Sequence, residues 1–314
     1  MKKIVVFGGG TGLSHILSGL KLFPVSVSAV ISVADNGRST GVLKKELDIP
    51  AVGDIGKVLI SMANVSKDMT DLLSYRFTKS SLENHPVRNL LLAALIETKG
   101  SLSSATNFMC EMLNINGSIL PITDEKVELI GLSNKGEAVY GEEEITKSSK
   151  DIKVIKYNKD FKINPAVLKA IKEADLIIIS PGSLLTSITP HLIIPEIRKA
   201  IDESKAKTMY VCNLFTQPGE TDDYKVSDHL KYLEKYIDID VVVANNKNIP
   251  RKTLNKYETE EQKDYVKYDK KEVTNLGIDS IVDKIYCFED GSIKHDALKT
   301  AYLIFSYLMD GVVK

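Results

Sequence analysis

The chain has 314 residues, 43% of them apolar, with 41 basic against 42 acidic side chains. A near-neutral balance excludes the electrostatic footprint of a nucleic-acid or anionic-membrane binder, and no apolar run approaches the length of a membrane span. Three scattered cysteines, Cys110, Cys212 and Cys287, lack metal or redox spacing and read as thiols of a reducing cytosol, so a soluble cytoplasmic protein is expected.

Ile4-Val5-Val6-Phe7 is a short apolar run, followed by Gly8-Gly9-Gly10-Thr11-Gly12 and by Leu13, Ile16, Leu17 and Leu20 at helical spacing. This predicts strand, glycine turn and helix, the entry unit of a nucleotide-binding α/β fold, and not a signal peptide. The glycines permit φ > 0 and let backbone N–H groups approach a ligand, while the helix directs its positive end at the same spot. A phosphate or carboxylate is the natural guest. No Lys-Ser/Thr pair closes the turn as in a P-loop, and Leu13 stands where a third fingerprint glycine would fall.

A second strand, residues 25–33, ends in Ala34-Asp35-Asn36-Gly37. Asp35 is placed either to hold a ribose or to make a plain Asp-Asn-Gly turn. Helices are predicted after Gly53-Asp54, over 72–77, after Asn84-His85-Pro86 and over 103–113, with Pro86 leaving the His85 ring at a helix mouth. From Ser118 the pattern turns to strands at 119–122, 127–132, 139–145 and 152–157, with Asn134-Lys135-Gly136 as a hairpin turn. The α/β rhythm then returns. Strands at 176–179, 209–212 and 241–243 end in Ser180-Pro181-Gly182-Ser183, in the loop 213–221 and in Asn245-Asn246. Helices follow Asn164-Pro165, Pro195 and the capping residue Ser227. Lysine-rich residues 246–271 read as a solvated surface segment. The last helix, 296–309, is apolar almost all round, as a core or subunit-interface helix would be.

The expected architecture is therefore a single Rossmann-like α/β domain over 1–314. It is three-layered, with a mostly parallel sheet, a helical insertion at 53–113 and a small antiparallel excursion at 118–157. Five parallel strands would each deliver a polar loop to one sheet edge, where ligands of such folds bind. Gly9, Gly10, Thr11, Gly12, Gly182, Ser183 and Thr186 would hold phosphates. Asp35, Asn36, Gly37, Ser39, Gly53, Asp54, Asn213, Thr216, Gln217 and Asn245 would complete the site, the asparagines reading base and sugar edges. The five histidines show no metal spacing. Asp35, Asp54 and Asp228 are carboxylates able to contact Mg²⁺, although acids at helix starts are mostly caps.

These motifs occur in the order of the YvcK-type gluconeogenesis factors. The resemblance rests on Gly8 to Ser14, on Val33-Ala34-Asp35-Asn36-Gly37 and on Gly53-Asp54-Ile55. It continues in Ser180-Pro181-Gly182-Ser183-Leu184-Leu185-Thr186-Ser187 and in Cys212-Asn213-Leu214-Phe215-Thr216-Gln217-Pro218-Gly219-Glu220-Thr221 with Asp228-His229. The family is related to the 2-phospho-L-lactate transferases and shares a Rossmann-like core. The resemblance implies binding of a UDP-sugar such as UDP-N-acetylglucosamine, with Mg²⁺ as an optional companion and no settled catalysis. It also implies control of central carbon metabolism, cell-wall supply and cell shape, and admits a homo-oligomer. It adds His85, Asn89 and Lys294 to the site. The family's Pro-Pro-Gly-Asp-Ile-Arg-Asn becomes Ala51-Val52-Gly53-Asp54-Ile55-Gly56-Lys57. Its Gly-His-x-x-Gly-Asn becomes Asn84-His85-Pro86-Val87-Arg88-Asn89, and its Arg-His-Asp becomes Lys294-His295-Asp296. Asn36, Arg38 and Thr40 depart from its second loop. A transferase moving a phosphorylated small acid from a nucleotide-linked donor is the alternative, and a nicotinamide dehydrogenase ranks last for want of hydride-transfer residues.

Overall fold

The structure, a computed structural model, describes residues 1–289 and 291–311. Its strands in chain order are β1 (Lys2–Gly8), β2 (Val25–Ile31), β3 (Gly117–Pro121), β4 (Leu129–Ser133), β5 (Ala138–Tyr140) and β6 (Ile152–Tyr157). They continue with β7 (Leu176–Ile179), β8 (Lys207–Val211), β9 (Val241–Asn245), β10 (Asp279–Asp283), β11 (Tyr286–Glu289) and β12 (Ser292–His295). Seven of them form one sheet in the order β10-β9-β8-β7-β1-β2-β3, and every pairing in it is parallel. Strands buried on both faces read as continuous apolar runs, which is why Leu176 to Ile179 and Val241 to Ala244 carry no polar side chain. β7 and β8 lie in one sheet, as the α/β reading requires, with Ile178 opposite Met209 and Ile179 opposite Tyr210.

The chain winds from β1 outward through β2 to β3, then returns to β7 and proceeds the other way. The reversal therefore falls between β1 and β7, and a crevice opens there beyond their carboxyl ends. Five helices, Arg38–Glu46, Gly53–Met62, Lys67–Ser74, Val87–Lys99 and Leu102–Met112, fill the connection from β2 to β3. The small antiparallel sheet β5-β4-β6 follows β3.

Several expectations are corrected. Residues 117–121 pair in parallel with β2 and extend the main sheet, where the helices Leu102–Met112 and Gly53–Met62 of the insertion pack on them. Residues 139–145 are not one strand: β5 stops at Tyr140, and Gly141 at φ +83 turns the chain into the helix Glu142–Lys147. Ser227 lies inside the helix Val226–Leu233, which Lys225 caps, and its hydroxyl donates to Asp269 at 2.6 Å. The lysine-rich 246–271 segment is anchored: Tyr257 is buried and stacks on Phe215 with ring centroids 4.3 Å apart. The last helix, Ala297–Asp310, buries Thr300, Ala301 and Ile304 against the helix Gly10–Leu20 but exposes Leu298, Tyr302 and Met309.

Candidate functional site

At the switch point the glycine turn divides its labour. Gly10 sits at φ +64 with nothing within 4 Å of the position a Cβ would take, so it needs glycine for its backbone and leaves its face open. Gly12 is different. It lies inside the helix Gly10–Leu20, and a Cβ there would stand 2.3 Å from the Pro181 carbonyl oxygen. Positive φ and ligand approach therefore do not explain Gly12; close packing of the two crevice loops does. Thr11 is exposed at the rim. Beneath the turn, the buried His191 ring is hydrogen-bonded through Nε2 to the Gly8 carbonyl at 3.2 Å, and burial pushes its pKa down to about 4.

The loop donors predicted to hold phosphates already meet carboxylates of the chain. Gly10 N–H donates to Asp54 Oδ2 at 2.9 Å, while Asp54 Oδ1 accepts from Lys57 at 2.8 Å. Gly9 lies so close that a Cβ would come within 2.7 Å of Asp54 Oδ2. Across the crevice, Ser183 Oγ donates to Glu220 Oε2 at 2.7 Å, and the Leu184 and Leu185 N–H groups both donate to Glu220 Oε1. Thr186 bonds back to Ser183 Oγ through its N–H and hydroxyl, each at 3.0 Å. Glu220 thus fills the N-terminal end of the π-helical turn Leu184–Ile188, as an anion would.

The asparagines read the chain's own backbone. Asn213 clamps both polar atoms of Gly182, accepting from its N–H at 2.9 Å and donating to its carbonyl at 2.8 Å. Asn245 donates to the Lys247 carbonyl and to Tyr265 Oη and accepts from Ile285 N–H. Thr216 Oγ1 accepts from Asp264 N–H at 2.8 Å, and the Gln217 N–H donates to Thr221 Oγ1 at the same distance. Asn213→Ala is accordingly expected to lower stability by about 1–3 kcal/mol, since Gly182 would lose both partners. Chemical denaturation checks this; an unchanged midpoint would refute the clamp.

Beyond β2, Asp35 accepts from Gly37 N–H at 2.7 Å, and Asn36 Oδ1 accepts from Glu143 N–H at 3.1 Å. The second contact docks the helix Glu142–Lys147 on the site and brings Glu142 to Asp35, Asp54 and Lys57. Burial, then repulsion from the two aspartates, pushes Glu142 up to about 8; burial, then Asp54, also raises Asp35. Sequence reasoning missed Glu142 because it took 139–145 as a strand. A glycine followed by Glu142-Glu143-Glu144 is the helix-start signal that would have revealed it. Among the described residues no three His, Cys, Asp or Glu side chains converge as metal ligands. A Mg²⁺ at Asp35 or Asp54 would have to draw its remaining oxygens from a bound phosphate and water.

The Glu142 pKa makes a signed prediction. An acid whose folded pKa is raised binds more protons in the native state, so its ionisation weakens the fold as pH climbs from about 4.5 to about 8. Glu142→Gln is expected to leave stability unchanged at pH 4.5 and to raise it by roughly 2 kcal/mol at pH 8, after allowance for solvent screening. Thermal melts across this range test it; an equal effect at both ends would refute it.

His85 and Asn89 come together with Ser39, not with the glycine turn. Ser39 Oγ lies 2.9 Å from His85 Nδ1 and accepts from Asn89 Nδ2 at 3.2 Å. Beside them a cleft of about 440 Å³ is lined by Asp35, Gly37, Thr40, Gly53 and a group of basic side chains. Lys294 stands elsewhere, 3.3 Å from Glu289, where both act electrostatically on His15 of the Gly10–Leu20 helix. The candidate residues thus fall into three neighbourhoods: the β1–β7 crevice, the cleft beyond β2, and the β8–β9 loops with Lys294.

The sequence profile of the family described as 2-phospho-L-lactate transferase CofD matches residues 4–286. The chain belongs to the CofD family. Among its relatives, the Gluconeogenesis factor of Bacillus subtilis (strain 168) is 39% identical over 98% of each chain. The Gluconeogenesis factor of Halalkalibacterium halodurans is 39% identical over 96% of this chain and 95% of its own. A crystal structure of a UPF0052 family protein from Bacillus halodurans superposes with a TM-score of 0.93 at 39% identity, covering 97% of this chain and 99% of the other. In this CofD-family protein Gly56 of the helix Gly53–Met62 lies against Arg88 of the helix Val87–Lys99. A Cβ at Gly56 would stand 3.1 Å from Arg88 Cδ and 3.2 Å from its Nε.

Proposed function

We propose that the protein is a regulatory gluconeogenesis factor that binds a nucleotide sugar of the UDP-N-acetylglucosamine type over the β1–β7 crevice. The observation that carries this reading is the open face of Gly10 at the switch point, in a chain alignable over 98% of its length with a protein named gluconeogenesis factor. Phosphates entering there would compete with or displace Asp54 and Glu220, so ligand binding would loosen internal ion contacts. That suits a protein whose output is a change of state. The reading carries with it a cytoplasmic location and a link from central carbon metabolism to cell-wall supply and cell shape. It also carries self-association through the exposed side of the last helix.

The test is a thermal-shift titration with UDP-N-acetylglucosamine, with and without Mg²⁺, followed by mass spectrometry of the ligand. We expect saturable stabilisation of about 2.7 kcal/mol at a hundredfold the dissociation constant, and intact ligand after hours. Absence of binding, or turnover abolished by Asp54→Asn, would overturn the regulator.

A second reading has its own observation. Glu142 is half-buried and holds its proton near neutrality, beside the ionisable Asp35 and Asp54. Such a group is poised as a general acid for a transferase moving a phosphorylated small acid. Acceptance of a GDP-linked donor without UDP-sugar binding would favour it.

A further inference from the structure

The chain places its arginines unevenly. It has five arginines and meets the rest of its positive charge with lysine. Three of the five, Arg38, Arg76 and Arg88, line the single cleft of about 440 Å³ beyond β2, together with Lys57. Among the described residues none of the three arginines is ion-paired. Lys57 is held by Asp54, and Arg76 donates one N–H to the Asn84 carbonyl at 2.7 Å. Arg88 is more than nine-tenths buried, yet its Nε has no hydrogen-bond partner, and burial with Arg76 nearby pushes its pKa down to about 10. Its place depends on Gly56, where any side chain would press on it. A buried guanidinium without an ion pair and beside the like charge of Arg76 is unfavourable by itself and persists where a ligand completes it.

From this we propose that the cleft is a second ligand site, which binds the dianionic phosphate group of free phosphate or of a small phosphomonoester. With Lys57 already paired to Asp54, the three arginines stand against the two carboxylates Asp35 and Glu143, so the cleft keeps a net positive charge for an anion to balance. Guanidinium forks match phosphate oxygens two at a time, which explains arginine in a chain that otherwise uses lysine. Ser39 and Thr40, at the start of the helix Arg38–Glu46, line the same space. The site does not depend on a nucleotide sugar occupying the switch point.

Calorimetric titration of the intact protein with inorganic phosphate, glycerol phosphate and malate decides the matter. The expected result is saturable binding of phosphate or its monoester, at least tenfold tighter than malate. Arg88→Lys, which keeps charge but loses the fork, and Arg38→Gln, on an exposed side chain, should each weaken binding at least tenfold. If Arg88→Lys fails to fold, Arg38→Gln alone carries the comparison. Tighter binding of the monoester identifies a metabolite as the ligand; equal binding identifies free phosphate. No binding, binding indifferent to both substitutions, or malate held as tightly would overturn the proposal. A repeat with saturating UDP-N-acetylglucosamine separates the two sites. Competition would mean that the cleft holds the nucleotide's own phosphates and would overturn a second site, whereas phosphate binding in a protein that ignores the nucleotide would leave this site standing and remove the regulator reading.

Discussion

Gly12→Val is expected to destabilise the protein by about 3 kcal/mol or more, the upper range for forcing atoms into a packed interior. The missing side chain is replaced by the Pro181 carbonyl, 2.3 Å from the Cβ position, and a backbone atom of a clamped loop has little freedom to retreat. The contrast is Gly10→Ala. There the space is open, and only the left-handed φ of +64 is disfavoured, at a cost of about 1 kcal/mol. Denaturant unfolding of both variants gives the ranking. If Gly12→Val unfolds within 1 kcal/mol of the parent, the close approach of the two loops is not what the glycine serves.

Glu220→Ala is expected to be of similar severity, about 3 kcal/mol or more, through a different cause. It removes both acceptor oxygens of one carboxylate and strands three donors: Ser183 Oγ–H and the N–H groups of Leu184 and Leu185. Glu220→Gln keeps one oxygen in place and should recover a large part of the loss. Together the two variants separate charge from hydrogen bonding at the turn. Stability within experimental error for Glu220→Ala would show that solvent satisfies these donors, and the internal-anion account would fall.

Both predictions come from contacts between segments far apart in the chain, which marks the boundary of what could be read beforehand. Leu176 to Ile179 was legible as a buried strand because four consecutive apolar β-formers admit little else, and the Gly8 to Gly12 turn declared itself by composition. Asp54 and Asn213 were legible as members of the site's surroundings. Their roles were not: Asp54 serves Gly10, 44 positions away, and Asn213 serves Gly182, 31 positions away. A side chain capable of holding phosphate or a base edge is equally capable of holding backbone, and only proximity decides which.

Local pattern alone determined the α/β class, the parallel strand–helix rhythm and the presence of polar loops at strand ends, because hydrophobic period and glycine chemistry act over a few residues. The tertiary structure decided three things that period does not encode. It assigned residues 117–121 to the main sheet through pairing with β2. It folded the helix Glu142–Lys147 back onto Asn36, bringing a third carboxylate to Asp35 and Asp54. And it drew Arg38, Arg76 and Arg88 from three separate segments to one cleft. Each of these depends on long-range packing of elements whose order in space the chain's local preferences leave open.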